Sequence, residues 1–368
     1  LSDETMVVLP GGEPLLRPDL EELAGHATAG GLMVVLGTNG TLLDDKRVAA
    51  LSAAGVRGAG ISLDSLEASY HDGFRGRAGA WEKALAGIDA CRRGGMSFQI
   101  HFSVTDDNAG ELDDMIVFAR SSGALVLNVF FLVCTGRGEK VTNISPATYD
   151  GVLRKLTRAA HDEDGLMIRA KCAPHFKRMA IELDPSWPIT LAHGYEAGGC
   201  LAGTRYCRIT PEGEVTACPY IETPVGSVRR QGFAEIWADA PMFRQLRRPQ
   251  LGGRCGECEY RILCGGCRAR PLAKSGDLMG EDFLCGYQPS GGAVIEPMPL
   301  GESSVQWSAE AEKRLGRAPA FLRRMIRRRA EDYVRQQGRS RVSADDMKAL
   351  VKRRFGDAGP PGMANHER

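Results

Sequence analysis

The sequence predicts an α/β protein of parallel strand–helix units, followed by a cysteine-rich module and a small all-α domain. Three observations carry that expectation. Short apolar runs alternate with helical segments through the first third of the 368 residues, eight of eleven cysteines crowd between Cys200 and Cys285, and the composition turns arginine-rich beyond residue 306. Strand alternating with helix at this pitch means parallel β/α units, which carry their working residues at the carboxyl ends of the strands.

TMVVLP (5–10), LMVVLG (32–37), AGISLD (59–64), FQIHFSV (98–104) and LVLNVFFLV (125–133) have the length and apolar content of buried strands. PDLEELAGHATAG, DDKRVAALSAAG, AWEKALAGIDACRRGG and AGELDDMIVFARSSG lie between them, apolar at steps of three and four and closing on glycine, as helices do. Within the fourth strand Gln99, His101 and Ser103 share one face and Ile100, Phe102 and Val104 the other; Ser62 and Asp64 oppose Ile61 and Leu63 in the same way. A polar inner face suits a ligand; the plainer alternative is that these groups satisfy one another inside the barrel. A helix near 146–161 and an irregular middle follow. The expected domains are 1–165, 166–290, a linker 291–306, a unit of about three short helices at 307–356 whose last helix is capped by Ser343 with Asp346, and a disordered tail 357–368.

A net charge of +1 and a hydrophobic share of 43% describe a globular protein with no bulk attraction to nucleic acid or membrane. No apolar run reaches the eighteen or so residues of a membrane helix, and no basic, apolar leader opens the chain, so the expected location is the cytoplasm.

The stretch CGECEYRILCGGCRAR, residues 255–270, sets four thiols close together and ends on two arginines. In a long chain without a secretion signal such pairs favour metal ligation over disulfides. The full array is Cys200, Cys207, Cys218, Cys255, Cys258, Cys264, Cys267 and Cys285, enough for two four-ligand sites. Thiolates hold zinc or iron–sulfur clusters, and single CxxC pairs do not separate the two. In ITPEGEVTACPY, Gly213 stands five residues before Cys218, a strand–turn–strand pattern that places the thiol at a hairpin edge.

This array resembles the SPASM extension of radical S-adenosylmethionine (SAM) enzymes, with two residues between Cys264 and Cys267 where that family often has three. The resemblance implies one or two auxiliary [4Fe-4S] clusters, the first on Cys200, Cys207, Cys218 and Cys267, the second on Cys255, Cys258, Cys264 and Cys285. PGGEPLLRPD (10–19), GTNGTLL (37–43) and ISLDS (61–65) occur in the order found in radical SAM barrels. They imply a partial (β/α)6 TIM-like barrel, five of its six units visible and the first missing, and SAM contacts at Gly11, Gly12, Glu13, Pro14, Asn39, Ser62, Asp64 and Ser103. Glycines let backbone carbonyls approach the methionine amine, and Glu13 adds a charge-assisted hydrogen bond. The family hangs its catalytic [4Fe-4S] cluster on a CxxxCxxC loop ahead of GGEP, yet no cysteine precedes Cys91, and neither Cys91 in a helix nor Cys134 at a strand end can replace that loop. With Leu1 first, the expectation is an amino-terminally truncated enzyme, unable in this form to cleave SAM.

AKCAPHFKR (170–178) resembles a CAP-containing segment of the radical SAM enzymes that trim side chains of haem precursors, and makes Cys172 and His175 catalytic candidates, to hold a propionate or give a proton. The bland alternative is a packed loop; His193 in AHGYEAGGC is a weaker candidate. Trp307, Arg317 with Pro319, FLRRMIRRRAEDYV and SADDM resemble the small domain at the end of a subunit of light-independent protochlorophyllide reductase. The family then implies a 5′-deoxyadenosyl radical acting on a tetrapyrrole, with flavodoxin or ferredoxin as reductant. A peptide maturase and a non-catalytic iron–sulfur or zinc module are the rival expectations. The run Arg323, Arg324, Arg327, Arg328 and Arg329 reads first as a solvated helix face and second as a grip for substrate carboxylates. No aromatic residues interleave it as nucleic-acid stacking requires.

Overall fold

The computed structural model describes residues 5–133, 135, 144–163, 165–187, 199–296, 305–318 and 320–355. Six strands, β1 (Met6–Leu9), β2 (Met33–Thr38), β3 (Val56–Ser62), β4 (Ser97–Val104), β5 (Val126–Phe131) and β6 (Met167–Lys171), lie side by side in chain order, all parallel. This is an α/β half-barrel. The crossovers are α1 (Leu20–Ala29), α2 (Asp45–Ala53), α3 (Ala68–Arg75), α4 (Ala80–Arg93), α5 (Leu112–Ser121) and α6 (Pro146–Asp162), with α7 (Phe176–Leu183) after the last strand.

Five strands fall where the apolar runs place them. The sixth corrects the count of five: Met167–Lys171 extends the sheet from β5, in register from Val126 opposite Met167 to Phe130 opposite Lys171. It lies past residue 165, in the stretch expected to belong to the cysteine-rich module. Only Ile168 of MIRAK is buried, so an edge strand with two charged residues carries almost none of the apolar signal that marks its neighbours. The alternation in β4 holds, with Phe98, Ile100, Phe102 and Val104 fully buried and Ser97, Gln99, His101 and Ser103 partly buried on the other face. Local chemistry sets the helix starts: Asp44 caps α2 by accepting from the Arg47 amide, and Ser145 caps α6 by accepting from the Thr148 amide, with Pro146 at the first helical position.

The cysteine-rich module opens on a small antiparallel sheet of β7 (Arg208–Ile209), β8 (Glu214–Thr216) and β9 (Gly226–Ser227), the hairpin expected ahead of Cys218. Short helices α8 (Phe233–Asp239), α9 (Pro241–Arg247), α10 (Gly253–Glu257) and α11 (Ala269–Ser275) follow. Its apolar core includes Val133 from the end of the half-barrel.

The last unit is helical, with α12 (Ala309–Arg317), α13 (Ala320–Gln336) and α14 (Ala344–Phe355) around a core of its own. It is not wholly α. β10 (Gln306–Trp307) pairs in parallel with β11 (Arg341–Val342), a ladder of two residues a side, too short to leave a period in the sequence. The capping box is present: the Asp346 amide donates to Ser343 Oγ at 3.2 Å and the Ser343 amide to Asp346 Oδ2 at 2.8 Å. Arg323 donates to the carbonyls of Gly316 and Ala318, and Arg327 binds Glu312 and lies 4.5 Å over the Trp307 ring. Both therefore spend their guanidinium groups inside the unit. Cys134, His193, Pro319 and the tail 357–368 lie outside the described residues, as do the side chains of Arg324 and Arg328.

Candidate functional site

The loops after β1 and β2 meet at Glu13. One carboxylate oxygen accepts from Thr38 Oγ1 at 2.6 Å and from the Leu15 amide at 3.2 Å; the other accepts from the Asn39 amide at 2.7 Å. Gly11 and Gly12 stand exposed beside it, and Pro14 is buried at the start of a single 3-10 turn. The Asn39 side chain accepts from the amide and hydroxyl of Thr41 at 2.9 and 2.8 Å. GGEP and GTNG thus form one rigid rim at the carboxyl end of the sheet.

Asp64 stands two residues past the end of β3. It is fully buried, with Oδ2 on Arg75 and Oδ1 accepting from the Ser103 amide at 3.0 Å. Its carbonyl, with that of Ser103, is held by Asn108 Nδ2. Ser62 and His101 are paired across β3 and β4. The His101 ring rests 5.1 Å from that of Phe130, and burial with the charges of Lys171 and Arg75 pushes its pKa down to about 3, so the imidazole is neutral.

Cys255, Cys258, Cys264 and Cys285 line one pocket, together with Arg178, Arg254, Arg261 and His175. Gly266 shapes it: its φ is +68°, and a Cβ there would fall 3.3 Å from Cys255 Sγ and 2.8 Å from the Arg268 side chain. Among the described residues no group of three or more His, Cys, Asp or Glu closes tightly enough for a single metal ion. Four thiols on one pocket wall, with guanidinium groups to offset their charge, are a donor set that fits a [4Fe-4S] cluster.

The other four thiols lie about the second core, where Cys200, Cys207 and Cys218 pack against the cluster containing Cys267, and Cys172 joins them. Burial first, then the charge of Cys200, raises the thiols of Cys172, Cys218 and Cys267, to about 11 for Cys172 and about 12 for Cys218. Burial alone raises Cys207, to about 11. Cys172 has the one positive φ of a non-glycine residue among those described, 57°. Cys91 is buried in α4, its thiol pushed up to about 12 by burial alone.

Between the two thiol groups runs a seam that sequence reasoning did not foresee. Arg270, one of the two arginines closing the array, is 1% exposed. It donates to the carbonyls of Cys172 and Phe131 at 2.5 and 3.3 Å and to Asp282 Oδ2 at 2.9 Å. That same oxygen accepts from the Cys267 amide at 2.8 Å. Arg268, the other arginine, is buried on the carbonyls of Leu278 and Gly280. His175 is 2% exposed, with Nδ1 2.5 Å from Tyr149 Oη, Nε2 3.7 Å from Asp282, and a pKa pushed down to about 4 by burial. The signal in sequence was the pair of arginines beside cysteines; nothing there told burial from exposure.

The Radical SAM superfamily matches residues 4–119, an iron-sulfur cluster-binding domain residues 200–259, and the proto-chlorophyllide reductase 57 kD subunit residues 307–350. AdoMet-dependent heme synthase of Methanosarcina barkeri is 43% identical over 290 residues, covering 77% of this chain and 83% of that protein. Pre-heme d1 synthase of Dinoroseobacter shibae is 34% identical over 298 residues, 76% of this chain and 73% of that one. Among solved structures, Streptococcus suis SuiB bound to precursor peptide SuiA superposes with a TM-score of 0.61 over 77% of this chain and 65% of that one, at 17% identity, a likeness of fold. Half-barrel, thiol cavity and sequence agree: the chain belongs to the radical SAM/SPASM family, related to AdoMet-dependent heme synthase and pre-heme d1 synthase.

Proposed function

We propose that this protein is a radical SAM enzyme that modifies the side chains of a tetrapyrrole haem precursor. The observation that carries the reading is the 43% identity to AdoMet-dependent heme synthase across barrel and cysteine module together, in a chain that also matches the proto-chlorophyllide reductase subunit at 307–350. SAM with its cluster would supply one-electron cleavage and hydrogen abstraction, chemistry that belongs to the cofactor. The protein's part is to bind and orient. Gly11, Gly12 and Glu13 receive the methionine amine, Asn39, Ser62 and Ser103 the polar remainder, and Asp64 holds Ser103 and Arg75 from behind. Cys255, Cys258, Cys264 and Cys285 hold one auxiliary cluster, and Cys200, Cys207, Cys218 and Cys267 the other. Cys172 and His175 brace the wall between them and the barrel. A reductant such as flavodoxin or ferredoxin supplies electrons.

No CxxxCxxC loop stands among these 368 residues, so binding is the property to measure on them, and turnover is not expected. After anaerobic reconstitution the protein should carry about eight iron atoms with labile sulfide. It should shift the Soret band of an iron tetrapyrrole bearing propionates. Unshifted spectra across sirohaem derivatives would remove the substrate class, and tight binding of a short peptide instead would favour a peptide maturase. About two zinc atoms without sulfide would turn the reading to a non-catalytic module.

A further inference from the structure

His175 has a buried ring nitrogen and lies on the wall of the thiol pocket. Its Nε2 is buried without a hydrogen-bond partner, since Asp282 Oδ2 at 3.7 Å is too distant and already accepts from Arg270 and the Cys267 amide. The residue also lines the cavity of Cys255, Cys258, Cys264 and Cys285. A buried N–H left without an acceptor is destabilising, so a group that supplies the missing acceptor explains the position.

The tautomer follows from the neighbours. The Tyr149 hydroxyl lies 2.5 Å from His175 Nδ1 and the Asp282 carboxylate stands on the Nε2 side; of the two tautomers, the carboxylate favours the one in which the phenol donates and Nδ1 accepts. A neutral imidazole then carries its proton on Nε2. The other charged groups around the ring are Arg270, Arg178 and Arg268. All are donors, and none can accept from Nε2.

We infer that His175 donates its Nε2–H to a sulfur of the auxiliary cluster held by Cys255, Cys258, Cys264 and Cys285, and so sets that cluster's reduction potential. His175 is a positioning and tuning residue, and Tyr149 of α6 fixes its tautomer. A hydrogen bond to cluster sulfur favours the reduced, more negative state and raises the potential. The barrel wall thereby reaches the electronics of a centre in the neighbouring module, without a ligand of its own.

The inference rests on the cluster reading above, and its test separates the two. Potentials are measured by redox titration followed by electron paramagnetic resonance on the reconstituted chain and on His175→Phe, His175→Gln and Tyr149→Phe, each with iron and sulfide counted. The expected result is a more negative potential in His175→Phe, recovery toward wild type in His175→Gln, whose amide still donates, and a smaller negative shift in Tyr149→Phe. Where His175→Phe fails to retain its cluster, the other two variants carry the comparison. An unchanged potential in Tyr149→Phe, or in His175→Phe with full cluster content, overturns the inference. A wild-type chain without iron sinks the cluster reading itself.

Discussion

Cys258 lines the cavity with three other thiols, and burial raises its pKa before any metal arrives. Binding must expel that proton and in return closes a segment with little regular structure, so folding and loading are coupled. Cys258→Ala is expected to lose one cluster, about four iron atoms, together with local order around 253–287. Full iron content in the variant would remove Cys258 from the ligand set. Glu13 shows a different economy of residue use. The sequence offers it as a contact to an amine, and the fold also uses its two oxygens to fasten the β1 and β2 loops.

At the level of elements, α4 lies against the β2–α2 connection with Gly87 at the closest approach. A Cβ there would stand 2.5 Å from the Gly40 carbonyl oxygen. Gly87→Ala should therefore destabilise the half-barrel by about 1–3 kcal/mol through overpacking, against the gain that alanine usually brings to a helix; equilibrium unfolding in urea measures the sign. The α14 capping box gives a pH signature. Asp346 is held to about 2 from its ordinary 3.8 by hydrogen bonding to Arg339 first, then Ser343, with burial opposing. Its folded pKa is depressed, so its contribution is complete above about 4 and is lost as pH falls toward 2. Wild type should melt above Asp346→Asn at neutral pH, and the gap should close through that window. A gap that persists at pH 2 would contradict the assignment.

For the whole molecule, the joint between half-barrel and cysteine module is the buried Arg270. It ties Phe131 and Cys172 of the barrel side to Asp282, and Tyr149 lies 5.4 Å from its guanidinium carbon. Removing one partner of a buried pair strands the other charge, so Arg270→Met is expected to cost about 3–5 kcal/mol. It should also split unfolding into two transitions as the modules lose their common fastening. A single transition at the wild-type midpoint, by calorimetry and circular dichroism together, would show that Arg270 does not join them. Among the described residues no helix is long and apolar enough to cross a membrane.

Five of six strands, the helices between them except α3, the hairpin before Cys218 and the Ser343 cap could be read from the chain, because each is written in a local period or a capping pair. The family could be read because GGEP, GTNGTLL, ISLDS and the thiol spacing are local strings. β6 could not, since its place depends on a neighbour 41 residues away and two of its five side chains are charged. Nor could the fates of Arg270, Asp282 and His175. Whether a charged or titratable group is solvated or sealed in a seam depends on what packs over it, and only the tertiary structure brings β5, α6 and the cysteine loops together around those three side chains.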